Sequence, residues 1–295
     1  MRLTPVEAHL ICLALVVIDM VGRTLRLQYL VHGCGHRLGF RDSLMSNLFA
    51  EAGATLTPLR VGGEPARLAG MLAAGVPATA SFVAIAFEVI TAWPALILVA
   101  AWVFGRYAPE WWSTAGVHLG ATMREQWPWV VAVLVLSLVA WWFGRRLARV
   151  APHRLQRPMR RIMVYWRRMP WWPLAASFAF SVVNVVTRLA LLPVLALALL
   201  PVPPSLPTLL VGSFVLIYGQ MILPTPAGAG AVELGFFAGA AGDLGGSSSW
   251  LLLMWRVYSS GLGTAAGVAW AVHAYGWPAL RRFGARVAGA PSGPG

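Results

Sequence analysis

The stretch ILPTPAGAGAVELGFFAGAAG, residues 222–242, decides how this chain is built. Prolines and glycines interrupt an otherwise apolar run, and Glu233 lies in its middle. Unpaired backbone N–H and C=O groups in hydrocarbon are costly, so a broken helix persists there only beside protein or a water-filled cavity. Glycine lets the chain turn, and proline ends the incoming half-helix. The next half-helix then starts inside the bilayer with free N–H groups and a positive dipole end, which suits an anion. A plainer reading is that the glutamate only caps its own half-helix.

Composition supplies the bilayer. Of 295 residues, 58% are hydrophobic and 11% charged, with a mean hydropathy of +0.69; a soluble domain carries about 25% charged residues. Apolar runs at 6–21, 76–104, 127–143, 171–200 and 250–273 reach or approach the length of about 20 residues that spans hydrocarbon. The first run is short, but a tilted helix continuing to about Gln28 would reach. It lacks a small-residue cleavage site and carries Arg23 and Arg26, so it is not a signal peptide. The fold class is all-α, a polytopic helical membrane protein.

The net charge of +13 would suggest nucleic acid in a soluble protein. Here its distribution argues against nucleic acid. All 23 basic residues are arginine, and nine crowd the loop at 145–170 between two apolar runs. Short basic loops stay cytoplasmic and attract anionic headgroups. Cys12 lies in the first run and Cys34 in a loop, so no disulfide framework is expected. His32, Cys34 and His36 in HGCGH lack a second ligand pair and read as an interfacial loop rather than a zinc site. No metal or cofactor is expected.

With the nine-arginine loop placed in the cytoplasm, the remaining runs fall into order. The segment 43–75, which contains TLTPLRVGGEPARL, and the segment 205–242 are each apolar on both sides of a proline- and glycine-rich break. If each enters and returns to its own face, Arg23, Arg26, Arg37, Arg41, the nine loop arginines, and Arg281, Arg282 and Arg286 all face inward. That is 16 arginines against 3 outside and 4 in the membrane, as the positive-inside rule requires. The expected localisation is therefore the bacterial inner membrane, with basic loops cytoplasmic.

The two broken segments share an order: proline, a glycine-rich break, a glutamate, then an apolar helix rich in small residues. Pro58 precedes Glu64, and Pro226 precedes Glu233. We expect two broken, re-entrant hairpins in an inverted repeat, with units at about 6–104 and 171–275. A span at 127–145 and the basic loop at 145–170 would link them. Residues 1–280 would form one membrane domain, and 281–295 a disordered basic tail. In many secondary transporters this plan puts the substrate where the breaks meet near the midplane.

Charges within apolar segments form the main constellation: Glu51, Glu64, Glu88 and Glu233 with Arg60, Arg67, Arg188 and Arg256. Such groups must face one another or water. Ser177, Ser181, Asn184 and Arg188 recur at helical spacing and make one polar stripe. Ser81, Glu88 and Thr91 mark a second helix, and Arg256, Ser260, Gly263 and Gly267 a third. Converging stripes describe a hydrophilic cavity; the alternative is a set of salt bridges that only locks the bundle.

LPTPAGAGAVE followed by WRVY, with LTPLRVGGEPARLAGMLAAGV earlier, resembles the lysylphosphatidylglycerol synthase transmembrane-region family. Pro224, Thr225, Pro226, Gly228, Gly230 and Glu233 match one motif of that family, Arg256 and Tyr258 a second, and Pro58, Arg60, Gly63, Glu64 and Arg67 a third. Ala227 replaces a usual glycine, and the residues after Glu88 read VIT where the family pattern has an arginine and an aspartate. The resemblance implies translocation of an anionic lipid between leaflets: phosphatidylglycerol, its aminoacyl derivative or a polyprenyl-phosphate-linked lipid. Arg60, Arg67, Arg188 and Arg256 would attract the headgroup, and Glu64, Glu88 and Glu233 would orient them or carry protons. The substrate-binding set then comprises these residues with Asn184, Pro226, Gly228, Gly230 and Tyr258. No catalytic residue is expected, and membrane lipids are the expected partners. An intramembrane lipid-processing enzyme and a non-transporting partner of a separate lipid synthase remain the alternatives.

Overall fold

The computed structural model describes residues 3–57, 60–111, 135, 153–201, 203–219 and 248–276. Among them every regular element is helical, and no strand occurs. Pro58, most of the expected span at 127–145, the second break with Pro226, Gly228, Gly230 and Glu233, and the tail all lie outside the described residues.

Helix α1 (Pro5–Gly33) starts where Thr4 accepts the Glu7 backbone N–H at 3.3 Å and Glu7 accepts the Thr4 N–H at 2.9 Å, with proline at the first helical position. This reciprocal cap satisfies donors that a helix start leaves open. The helix runs 29 residues. Arg23 and Arg26, expected at the cytoplasmic edge, therefore lie within it and are buried at 9% and 6% exposure. They follow Asp19 by four and seven residues, so all three occupy one helical face.

Helices α2 (Phe40–Leu56) and α3 (Gly63–Ala73) form an antiparallel pair across the first break. Small residues set their separation. A Cβ on Gly53 would stand 2.6 Å from the Gly62 carbonyl oxygen, and one on Gly70 would stand 2.7 Å from Ser46 Oγ. In the turn, the Thr57 hydroxyl accepts the Gly62 N–H at 2.8 Å. Arg60 sits at φ 58°, a left-handed conformation rare for a side-chain-bearing residue. With 11 residues, α3 is about 16 Å long, roughly half the thickness of a hydrocarbon layer. Gly35 and Gly75, at φ 79° and 83°, bracket the pair.

Helix α4 (Ala78–Trp111) and helix α6 (Trp171–Leu199) each contain a 29-residue stretch long and apolar enough to cross a membrane. Between them, helix α5 (His153–Arg168) occupies what the sequence reads as a basic loop. Its local pattern explains the helix. Ile162, Tyr165 and Met169 pack on the core, while Arg160, Arg161, Arg167 and Arg168 stay exposed. Trp166 stacks on Phe87 of α4 with ring centroids 4.4 Å apart.

Helix α7 (Leu206–Gly219) precedes the second break. The last apolar run is not one regular helix. It divides into α8 (Ser248–Arg256), a π turn at Val257–Gly261, and α9 (Leu262–Tyr275). Gly263 and Gly267 seat α9 on α2: a Cβ on Gly263 would stand 3.0 Å from Glu51 Cγ, and one on Gly267 would collide with the Leu48 carbonyl. Thr264 adds a hydroxyl bond to Thr55 at 2.9 Å. The small-residue pattern thus serves packing within the chain.

Two apolar clusters bound the bundle. One joins the end of α1 (Leu27, Leu30, Val31) to Met71 of α3 and to Ala80, Val83 and Phe87 near the start of α4. The other joins Cys12 of α1 to Val99 and Val103 of α4, Leu189 to Leu195 of α6, and Trp255 of α8. Along their helices, Asp19, Arg23 and Arg26 of α1 and Glu88 of α4 fall between residues of the two clusters.

Candidate functional site

Five arginines and four carboxylates meet in this middle layer. Asp19, Arg23 and Arg26 come from α1, Glu51 from α2, and Arg60 from the turn. Glu64 and Arg67 come from α3, Glu88 from α4, and Arg188 from α6. Among the described residues the group carries one formal positive charge.

Two carboxylates act as hubs. Glu51 is 3% exposed and receives Arg23 at 2.7 Å and Arg188 at 3.3 Å on one oxygen, and Arg60 at 2.9 Å on the other. Glu88 receives Arg67 at 2.7 Å and also pairs with Arg26. Asp19 is shared between Arg23 at 3.0 Å and Arg188 at 3.4 Å, and it accepts from the Asn184 amide. Arg26 donates further to Ser181 at 2.9 Å, and Thr91 and Ser177 are hydroxyl partners at 2.5 Å. Bringing this many ions out of water costs several kcal/mol each, which only close pairing offsets. The pairing is not complete: Nε of Arg23, Arg26 and Arg67 and one oxygen of Glu88 are buried without a hydrogen-bond partner.

The five arginines, with Glu51, Glu64, Glu88, Ser181 and Asn184, wall a cavity of about 420 Å³. Its α4 wall is Glu88, Val89, Ala92, Trp93 and Leu96, and Tyr218 of α7 also lines it. Val89 and Trp93 are 45% and 59% exposed, and the Glu64 side chain is 52% exposed. The cavity therefore has a charged interior, and apolar Val89 and Trp93 share its exposed rim with Glu64.

Of the residues expected from sequence, Arg60, Glu64, Arg67, Glu88, Asn184 and Arg188 all line this cavity. Arg256 and Tyr258 do not. The Arg256 guanidinium lies 5.6 Å from the Trp255 ring. Tyr258 hydrogen-bonds His9 at 2.9 Å and lines a narrow crevice that Asp19, Arg188 and Ser259 share. A π turn shifts the helical register by an extra residue, and Tyr258 stands within it. Sequence reading passed over Asp19, Arg23 and Arg26, although their common helical face was a usable signal. His32, Cys34 and His36 have separate neighbours: Trp172, the Ala80 carbonyl and Tyr165. Among the described residues no group of three potential metal ligands occurs.

An all-helical bundle with two membrane-length helices and an arginine-rich cavity is a polytopic membrane protein. The chain matches the model of the lysylphosphatidylglycerol synthase transmembrane region over residues 2–267. It belongs to that family, which gives it a membrane-lipid function at that level of detail. No curated protein matches it.

Proposed function

We propose that the chain is a flippase-like translocase that carries an anionic lipid headgroup through the bilayer while the acyl chains stay in hydrocarbon. The observation that carries this reading is the cavity. Its arginines offer charge-assisted hydrogen bonds of the kind a phosphate loses on leaving water, and its rim at Val89 and Trp93 suits acyl chains. Arg60, Arg67 and Arg188 attract the headgroup and Asn184 adds a polar contact, while Arg256 and Tyr258 stand off the cavity. Glu64 and Glu88 orient the arginines. The α2–α3 pair re-enters from the face that bears α5, because α3 is too short to span and α4 starts beside the end of α1. In sequence order the second break, with Pro226, Gly228, Gly230 and Glu233, is the counterpart of the first in the inverted-repeat reading. The basic face of α5 then lies on the cytoplasmic side of a bacterial inner membrane. Phosphatidylglycerol, its aminoacyl derivative and a polyprenyl-phosphate-linked lipid are the candidate substrates.

The test is a scramblase assay in proteoliposomes, in which dithionite bleaches only outward-facing NBD-phosphatidylglycerol. Arg67→Gln and Arg188→Gln should each slow the protected pool's exchange at least tenfold, the loss of about one strong charge-assisted contact. Unchanged exchange in folded variants would favour the other reading, in which the ion pairs only lock the bundle.

A further inference from the structure

The motif that resembles the family includes Arg60, Glu64 and Arg67 but not Glu51, which is the more connected group. Its carboxylate is gripped by guanidinium groups from α1, the turn after α2, and α6, two on one oxygen and one on the other. Two oxygens held this way by several arginines reproduce the recognition of a phosphodiester's two free oxygens. Glu51 also sits on a seam. It belongs to α2, which is packed tightly on α3 and on α9 through Gly53, Gly70, Gly263 and Gly267. Two of its three arginine partners belong to α1 and α6, which pack extensively on each other. Arg67 to Glu88 crosses from α3 to α4 in the same way. Asp19–Arg23, Asp19–Arg188 and Arg26–Glu88, by contrast, stay within the α1–α4–α6 group.

We propose that Glu51 is the resident anion of the site. An incoming phosphodiester headgroup takes Arg23 and Arg188 by displacing Glu51, and the exchange uncouples α2, α3 and α9 from α1, α4 and α6. This rests on the reading of the cavity as a headgroup site. The ion pairs then act as a latch opened by the substrate's own charge. Because a ligand shifts a conformational equilibrium only through its differential affinity for the two states, the competition for Arg23 and Arg188 supplies that difference. Glu51 acts through these arginines and is a positioning residue.

The experiment uses the full chain in nanodiscs with dihexanoyl-phosphatidylglycerol as probe. Binding is measured by calorimetry, and spin labels at Leu72→Cys and Val186→Cys, both exposed positions, report the separation of α3 from α6. In the otherwise unsubstituted protein, saturating probe should populate a second, longer distance. Glu51→Gln should show that distance without probe and bind the probe at least tenfold more tightly. Asp42→Asn removes the same charge from the exposed start of the same helix and should change affinity less than threefold, which separates anion exchange from general electrostatics. Probe binding with an unchanged distance, or equal gains for Glu51→Gln and Asp42→Asn, overturns the proposal while leaving the cavity reading intact. If Glu51→Gln does not fold, the distance response of the unsubstituted protein decides alone. No binding in any form overturns the cavity reading and this proposal with it.

Discussion

At the residue scale, the cavity's chemistry is set by how few partners each ion can lose. Glu88 is 5% exposed and is the common acceptor of Arg26 and Arg67. Glu88→Ala would leave two buried guanidinium groups facing one another, a loss of the kind that costs about 3–5 kcal/mol. The expected outcome is a clear fall in the thermal midpoint followed by fluorescence in detergent, with Glu88→Gln intermediate because it keeps one acceptor. Arg60 poses a separate question, since its left-handed backbone is unfavourable for any residue with a Cβ. Arg60→Ala and Arg60→Gly both remove the contact to Glu51, but only glycine relieves the backbone. Arg60→Gly should therefore be more stable than Arg60→Ala by about 1 kcal/mol in the same unfolding measurement.

At the element scale, the α2–α3 pair and α9 depend on contacts that admit no side chain. A Cβ at Gly267 would run into the Leu48 backbone, and one at Gly63 would lie 3.1 Å from the Ala50 carbonyl oxygen. Gly267→Val should force α9 off α2 and destabilise the protein by about 1–3 kcal/mol, the usual cost of overpacking. Faster proteolysis in the α9 region at constant detergent and temperature would register it. Glu51 shares this contact through Gly263, so Gly263→Ala should disturb the charged layer while Gly105→Ala, in open space on α4, should not. Scrambling rates of the two variants make the comparison. The break between α2 and α3 was legible in the sequence because proline and glycine have local conformational consequences. The helix in the basic loop was less so. Nine arginines dominate the loop's composition, and the apolar face of Ile162, Tyr165 and Met169 gains meaning only once a core lies beneath it.

At the scale of the whole molecule, two apolar clusters bracket a polar layer, and arginine-bearing α5 lies against only one of them. If the chain crosses a bilayer with that end inside, cysteines introduced at Arg161 and Ser205 should react from opposite sides of sealed vesicles. Both native cysteines are buried and give little background. A membrane-impermeant maleimide that labels both from the same side would contradict the orientation.

Composition and the spacing of apolar runs determined that this chain is an all-helical membrane protein, because hydrocarbon length and backbone satisfaction are constraints each segment meets alone. The polar stripe of Ser177, Ser181, Asn184 and Arg188 was equally local, since one helix displays it without a partner. Which charges meet was decided by tertiary structure. Arg23 and Arg26 stand at the end of an apolar run and look like a cytoplasmic flank. Only the continuation of α1 to Gly33, and the arrival of Glu51, Glu88 and Ser181 from helices distant in sequence, makes them interior. A buried ion's place is fixed by the groups that solvate it, and those groups belong to other helices.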